Sequence, residues 1–378
     1  MKNNLLKRGQ KSYLRTFLFK NQRRMKRTKR NMRWVGYLGA GVAGFLAARS
    51  IYRKVTAYDF KNRSVVIAGG SRGLALVLAR QLAAEGAKIT LLARDQAELE
   101  SAEAELKSTG AEVMVWPCDI RDQKQVEETL GRVVRNFGRI DVLINNAGII
   151  QVGPVEQMTV QDFRDAMEVH FWGPLYTILA SRHYMQQQGG GRIANITSIG
   201  GKISVPHLGP YTASKFALVG LSDGMRAELA KDNILITTIV PGLMRTGSHV
   251  NARFKGRYKN EYAWFSSFDA NPLASTSAES AARQIVDAIR HGDPHLTITP
   301  QARILELANT VAPGLVARGM RFMNRFLPKP APEQGYESRS GWESWSDASP
   351  SILTQPADKE ISKNNQDVRF EEEKRVNL

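Results

Sequence analysis

Residues 64–75 read SVVIAGGSRGLA, and the fold turns on how this stretch is read. SVVIA is a short run rich in β-branched residues, the composition of a strand buried on both faces. It passes straight into Gly69-Gly70-Ser71-Arg72-Gly73 and then into a segment of helical character, LALVLARQLAAE. Glycines at a strand-to-helix turn let a phosphate approach the backbone, and the N-terminus of the helix meets its charge. Many glycine-rich turns are merely tight bends, so the weight of this one depends on the pattern of the chain beyond it.

That pattern is alternation. KITLLA (88–93), EVMVWP (112–117), DVLIN (141–145), RIANIT (192–197) and ILITTIV (234–240) read as further buried strands, and HLTITP (295–300) as a seventh. Helical spacing fills the intervals at Arg72–Glu85, Gln96–Lys107, Gln125–Asn136, Val160–Gln187 and Tyr211–Lys231. Strand and helix in turn predict an α/β fold, a doubly wound seven-stranded parallel sheet with helices on both faces. The second strand ends Leu91-Leu92-Ala93-Arg94-Asp95. An acid at the strand end would bind the ribose 2′-hydroxyl of NAD, whereas arginine suits the 2′-phosphate of NADP. Ala93 followed by Arg94, with Arg72 in the turn as a second cation, favours NADP.

The stretch Ser198–Lys215, SIGGKISVPHLGPYTASK, carries candidate chemistry. Tyr211 and Lys215 are four apart in a helical segment, so their side chains share a face. A phenol titrates near ~10 in water, and a neighbouring cation favours its ionised form. Such a tyrosine can pass a proton to or from an alcohol or ketone. Ser198 comes just after the strand RIANIT and could hold the substrate oxygen. Taken alone, a Tyr–Lys pair is more often a plain surface face.

Together these residues resemble the short-chain dehydrogenase/reductase superfamily, the single-domain Rossmann branch, over about Asp59 to Pro300. The family's G-x-x-x-G-x-G turn matches at Gly69 and Gly73, with Ala75 in the third place and Ala68 where threonine is usual. The resemblance implies that Ser71, Arg72 and Leu74 also face the cofactor. Its N-N-A-G strand end is Asn145-Asn146-Ala147-Gly148, and the acid facing the adenine is Asp119, with Ile120 beside it. Its catalytic serine, tyrosine and lysine fall on Ser198, Tyr211 and Lys215. Its P-G motif falls on Pro241-Gly242, with Thr246 on the nicotinamide side. The resemblance implies NADP(H)-dependent interconversion of an alcohol and a carbonyl. In it Ser198 holds the oxygen, Tyr211 moves the proton, and Lys215 lowers the tyrosine pKa and binds the nicotinamide ribose. The family often forms dimers and tetramers, so a homo-oligomer is an expected assembly.

One position departs. The family usually places asparagine in its fourth helix to complete a proton relay, and here Glu168-Val169-His170-Phe171-Trp172-Gly173 supplies His170. A neutral imidazole both donates and accepts, so it could hold the same water; the plainer reading is a histidine that packs under the site. Specificity is expected between Gly242 and about Leu273. There Phe254, Tyr258, Tyr262, Trp264, Phe265 and Phe268 interleave with Arg253, Lys255, Arg257 and Lys259. A lid over an apolar substrate fits better than base stacking, with a simple aromatic core as the bland alternative.

Charge and composition bound the rest. The formal charge of +17 sits in a leader: residues 1–54 hold sixteen of the 53 lysines and arginines and no acid. The remaining 37 nearly balance the 36 acids, so nothing in the body argues for nucleic acid. One cysteine excludes an internal disulfide, and neither it nor the six histidines show metal-ligand spacing. Residues 1–33 form a basic arm, and Trp34–Ala48 is an uncharged segment closed by Arg49, Arg53 and Lys54. As a helix it reaches only ~22 Å, short of the ~30 Å hydrocarbon core. NADPH and a reduced thiol place the body in the cytoplasm, so residues 1–54 are expected to lie peripherally on an anionic membrane surface. The domains expected are the arm 1–33, the apolar segment 34–54, the catalytic domain 59–300, an amphipathic extension 301–328 and a disordered tail 329–378. The rival from another class is a membrane-associated scaffold that keeps the fold and nucleotide with little turnover; intact Ser198, Tyr211 and Lys215 count against it.

Overall fold

The computed structural model describes residues 57–271, 274–332, 335–346, 349 and 354–368, with a few single positions before them. It divides into two units, Met1–Ala57 and Tyr58–Leu378. The basic arm and the apolar segment expected to reach a membrane lie almost wholly outside the described residues. Among those described, no helix is long and apolar enough to cross a bilayer.

All seven expected strands form. They are β1 (Ser64–Ala68), β2 (Lys88–Ala93), β3 (Val113–Pro117), β4 (Val142–Asn145), β5 (Gly191–Ile196), β6 (Ile234–Pro241) and β7 (His295–Ile298). They pair in parallel in the order β3-β2-β1-β4-β5-β6-β7. Every residue of β1 is buried, because helices cover both faces. Alternation along it sorts the core: Val65 and Ile67 pack on one side, Val66 and Ala68 on the other. The first side is closed by helix α1 (Gly73–Ala84), α2 (Gln96–Ser108) and a later helix, Ala278–His291. The second is closed by α3 (Gln123–Phe137) and by the helices after β4. The chain crosses from one face to the other between β1 and β4, which opens a crevice beyond the carboxyl ends of the strands.

The stretch expected as one helix, Val160–Gln187, is two. Helix α4 (Val160–Met167) passes through a π turn, Glu168–Trp172, into α5 (Gly173–Gln187). Gly173 has no room for a side chain, since a Cβ there would meet Ile120 Cδ1 at 2.5 Å. One wider turn sets that glycine against Ile120 and turns His170 inward; such bulges recur at functional sites. Helix α6 (Gly209–Leu229) carries the tyrosine and lysine. Beyond β6 the chain forms α7 (Tyr258–Ala270), α8 (Ala278–His291), α9 (Pro300–Val311) and α10 (Pro313–Met323).

The aromatic stretch after β6 is in part the aromatic core. Phe254 and Tyr262 are fully buried with Val152, Leu208 and Ala252. Lys255, one of its cations, is buried in an ion pair with Asp162 at 2.7 Å, so it offers no charge to a backbone phosphate.

The tail is not disordered where it is described. Arg339–Ser340 pairs antiparallel with Arg253–Phe254, Trp342 and Trp345 meet in a tilted contact at 5.3 Å between ring centroids, and two short helices come next, α11 (Gln355–Asp358) and α12 (Glu360–Lys363). Low aliphatic content misled because this segment docks by hydrogen bonds; Asn364, Asn365 and Gln366 are all buried.

Candidate active site

The glycine turn closes β1 and opens α1. Gly69 (φ +74) and Gly73 (φ +61) take left-handed conformations that suit glycine. Gly69 is also pressed against the strand end after β4, where a Cβ would lie 2.5 Å from Ala147 Cα. Asn146 donates its backbone N–H to Ala68 O (3.0 Å) and its amide to Gly69 O (3.4 Å), which locks that strand end to the turn. Helices α2 and α3 have aspartate caps, Asp95 and Asp122, whereas α1 has no side-chain cap. A helix start without a side-chain cap behind a glycine cradle fits the pyrophosphate of a dinucleotide, and here its Gly73 N–H is met by the Asn364 carbonyl at 2.8 Å. Leu74 and Ser71 are buried there, and Gly148 is exposed on the far bank.

The cations sort themselves. Arg72 is ion-paired with buried Glu98 (2.7 Å), whose other oxygen accepts from Ser71 Oγ (2.7 Å). Arg94 is exposed just past β2. Asp95 does not pair with it but caps α2, accepting from Glu98 N at 3.0 Å. Burial pushes the Asp119 carboxyl up, but hydrogen bonds and charge from Arg121 outweigh it, with a further pull from Arg94, and hold it below the usual range. Ile120 packs on Gly173. At the other end of the crevice Pro241 closes β6, Gly242 sits against Thr299, and buried Thr246 donates to Ser248 Oγ at 2.9 Å.

Ser198, Tyr211 and Lys215 converge. Ser198 stands just beyond β5, its Oγ accepting from Gly200 N at 3.0 Å, and near enough to the Tyr211 hydroxyl to favour its ionised form. Tyr211 lies in the first turn of α6, and Lys215 one turn on, with its Nζ 5.7 Å from the tyrosine ring centroid. Lys215 donates to Ile196 O at 2.9 Å. Burial pulls Lys215 down to about 7. Burial also pushes Tyr211 up; Ser198 pulls it back, and the nearby Asp269 carboxyl pushes it further up. The net direction is upward, opposite to the lowering expected from the Tyr–Lys pair. The reason is that desolvation acts on both partners: a buried lysine at about 7 is only partly charged near neutrality, and it faces a carbonyl.

His170 is fully buried, and both of its nitrogens are spoken for. Ile149 N–H donates to Nε2 (3.2 Å), so Nδ1 carries the proton and donates to Ser214 Oγ (2.8 Å). Ser214 in turn donates to Tyr211 O at 2.9 Å. The ring stands edge-on to Tyr211, 5.5 Å between centroids. Burial, and then the charge of Lys215, pull the imidazole well below its ordinary value, so it is neutral. No ring nitrogen is left for a relay water; the histidine instead ties the loop after β4 to the first turn of α6.

Several residues of the site carried no signal in the sequence. Behind it Asn145, already marked by its motif, is joined by Thr177 (2.7 Å) and Asn195 (2.9 Å), and Asn195 by Ser222 (3.1 Å), three partners the sequence did not mark. Asp269, at the end of α7, is pushed up to about 6 by burial against the pull of His249, the Met244 backbone and Arg245. Glu98 and the C-terminal Asn364–Gln366 reach the glycine turn only through folding. A cavity of about 350 Å³ lined by Pro154, Met158, Phe163, Val205, His207 and Met320 opens beside the tyrosine helix rather than over Tyr211 itself.

The strand order and the glycine turn on β1 define a doubly wound, nucleotide-binding α/β protein. Residues 63–255 match the family model for short chain dehydrogenases. The chain is 32% identical over 265 residues to Dehydrogenase/reductase SDR family member 7B of Mus musculus, covering 69% of this chain and 80% of that protein. The solved levodione reductase superposes with a TM-score of 0.57 at 27% identity, over 65% of this chain and 99% of that one. NAD+-bound xylitol dehydrogenase, at 24% identity and a TM-score of 0.53 over 64% of this chain and 99% of that one, shares the fold. The chain belongs to the short-chain dehydrogenase/reductase family, oxidoreductases that bind a nicotinamide dinucleotide and act on alcohol or carbonyl groups of small molecules.

Proposed function

We propose that this protein interconverts an alcohol and a carbonyl with NADP(H), on an apolar substrate, using Ser198, Tyr211 and Lys215. The observation that carries the reading is the convergence of these three groups beyond β5, beside the crevice that begins at the glycine turn. A bound nicotinamide dinucleotide supplies hydride in the reductive direction. The Ser198 hydroxyl holds the substrate oxygen, and the Tyr211 hydroxyl gives it the proton. Lys215 keeps the tyrosine face polar and binds the ribose. Gly69, Ser71, Gly73, Leu74 and Thr246 receive the phosphates and the nicotinamide side, while Asp119, Ile120, Asn146, Ala147 and Gly148 line the adenine and central part, and Pro241-Gly242 turn the chain beneath. His170 positions Tyr211. With Arg72 partnered by Glu98, the preference for NADP rests on Arg94, which stands where an acid would select NAD.

The membrane-surface reading draws support from α9 and α10. Ile304, Leu307, Val311, Leu315 and Phe322 there, and Phe326 just after α10, are each at least 60% exposed. Arg303, Arg318, Arg321, Arg325 and Lys329 accompany them, against one acid, Glu306, which is turned toward His295 and Lys202. Apolar and cationic side chains on short helices suit an anionic interface.

The test of the catalytic assignment is Tyr211→Phe, which removes the transferable proton. Turnover should fall by about 10²–10⁴-fold, the usual worth of general acid catalysis, with NADPH binding by fluorescence retained. Turnover within a few-fold of the original protein would overturn it.

A further inference from the structure

The glycine turn has an occupant supplied by the chain itself. Residues 354–367 lie across it, and their contacts fall on groups expected to receive a dinucleotide. Gly73 N–H, the first donor of α1, gives its hydrogen to Asn364 O at 2.8 Å. A carbonyl oxygen stands there in the position that a phosphate oxygen takes at a phosphate-binding helix start. The Asn365 amide donates to Ser71 O (2.9 Å) and Glu98 O (3.0 Å), and its Oδ1 accepts from Ser101 Oγ (2.9 Å). Gln366 Nε2 donates to Thr246 O at 3.4 Å and lies 2.7 Å from where a Cβ on Gly73 would be. Ser71, Gly73 and Thr246 are engaged together, and the close approach that glycine leaves open to a pyrophosphate is filled by the Gln366 side chain.

Further contacts anchor the segment around this point. Arg80 donates to Asn364 Oδ1 (3.0 Å) and Lys363 O (2.6 Å), and Asn251 donates to Gln366 O (2.9 Å) and Oε1 (2.8 Å). His249 meets Asp358 at 3.0 Å, and Lys363 pairs with Glu279. Ile361 packs on Gly247, where a Cβ would lie 2.8 Å from Ile361 Cα. Asn364, Asn365 and Gln366 are at most 8% exposed, yet Ala357 and Ile361 are the only apolar side chains the segment buries. Docking therefore rests on hydrogen bonds, and water can satisfy the same groups after release, so each contributes only modestly to holding the segment in place. Asn365 is also held in the left-handed region (φ 61) while docked. An attachment of this kind is reversible.

We propose that residues 354–367 are an autoinhibitory plug: docked, they exclude the dinucleotide from the glycine turn, and the cofactor binds the form from which they have been released. This rests on the reading that the glycine turn holds the dinucleotide. Because the two occupants need the same groups, apparent cofactor affinity is the intrinsic affinity scaled by the fraction of chains with the segment out. By linkage, bound cofactor keeps the segment out to the same degree.

The first measurement needs no substitution. Hydrogen exchange of the full chain, with and without saturating NADPH, follows the amides of 69–75 and of 354–367. NADPH should slow exchange in 69–75 and speed it at least tenfold in 354–367. Slower or unchanged exchange in 354–367, with 69–75 protected, would overturn the plug and leave the glycine-turn reading intact. Equilibrium titration with NADPH then compares the original protein with Asn365→Ala and Lys363→Ala. Asn365→Ala removes three hydrogen bonds of the docked state and should tighten apparent binding by about tenfold, while lowering the melting temperature of the ligand-free protein. Damage to the fold does not tighten binding, so a gain in affinity with a loss of stability separates release from a structural role. Lys363 is half-exposed and outside the crevice, so Lys363→Ala tests the same direction without touching the turn, with a smaller gain expected. Equal or weaker binding in both variants would overturn the plug. Binding by Asn365→Ala where the original protein shows none would support it. Binding by none of the three proteins would overturn the glycine-turn reading, and the plug with it.

Discussion

Replacing His170 by asparagine restores the residue usual in the family, and the structure assigns it a definite consequence. The imidazole spans two partners, Ile149 N–H at 3.2 Å and Ser214 Oγ at 2.8 Å. A carboxamide is shorter and can hold one of them. The other is left as an unpaired buried polar group, which costs about 1–3 kcal/mol. A small void adds to this. For a body of this size each kcal/mol moves the melting temperature by roughly 2–4 °C, so a loss near 2 kcal/mol lowers it by about 4–8 °C. The pH dependence makes the prediction sharper. Burial holds the folded imidazole well below its ordinary value, so below about 6.5 the unfolded chain binds a proton that the folded protein refuses. Stability therefore falls with pH in the original protein through this group and not in the variant. Between pH 7.5 and 5.5 the gap should therefore narrow, because the unfolded chain takes up that proton and the folded protein does not. Urea unfolding of both proteins at the two pH values reads this directly, because all other titrating groups cancel in the difference. Turnover should stay within several-fold, since both ring nitrogens are engaged by Ile149 and Ser214. A gap that does not change with pH would refute the neutral, doubly bonded histidine. A hundredfold loss of turnover at normal stability would refute its purely positioning role.

Two other expectations concern ligands. Arg94→Ala should cost NADPH about 10–100-fold in affinity, the worth of a charge-assisted hydrogen bond, and leave NADH nearly unchanged; equal losses for both, or none, would refute the assignment of the 2′-phosphate to this arginine. The full chain should sediment with vesicles containing anionic lipid at low salt and be partly released by high salt, and Phe322→Ser with Phe326→Ser should reduce the bound fraction several-fold. Sedimentation indifferent to both salt and these substitutions would remove α10 from the attachment.

Architecture, and the chemistry carried by short motifs, can be read from the order of the residues. Strands such as SVVIA and KITLLA are apolar on both faces, and that pattern is compatible only with a covered parallel sheet. Gly69 and Gly73 were legible because their need is local: a turn with positive φ, against which another backbone closes. Tyr211 and Lys215 were legible because helical spacing places them together. Features that depend on partners far along the chain are set by folding instead. Helical periodicity in Val160–Gln187 says nothing of the π turn that brings His170 under Tyr211, and no spacing rule links it to Ile149 and Ser214. The shifts of Tyr211 and Lys215 arise from burial, which a pair of residues four apart does not report; the expected lowering of the phenol gave way to desolvation. Arg72 looked free until Glu98 folded onto it. The tail misled most, since its composition lacks the aliphatic residues that announce a core. Its order comes from asparagine and glutamine side chains meeting backbone groups far earlier in the chain, such as Asn365 with Ser71, and hydrogen-bond complementarity of that kind exists only once both surfaces have been built.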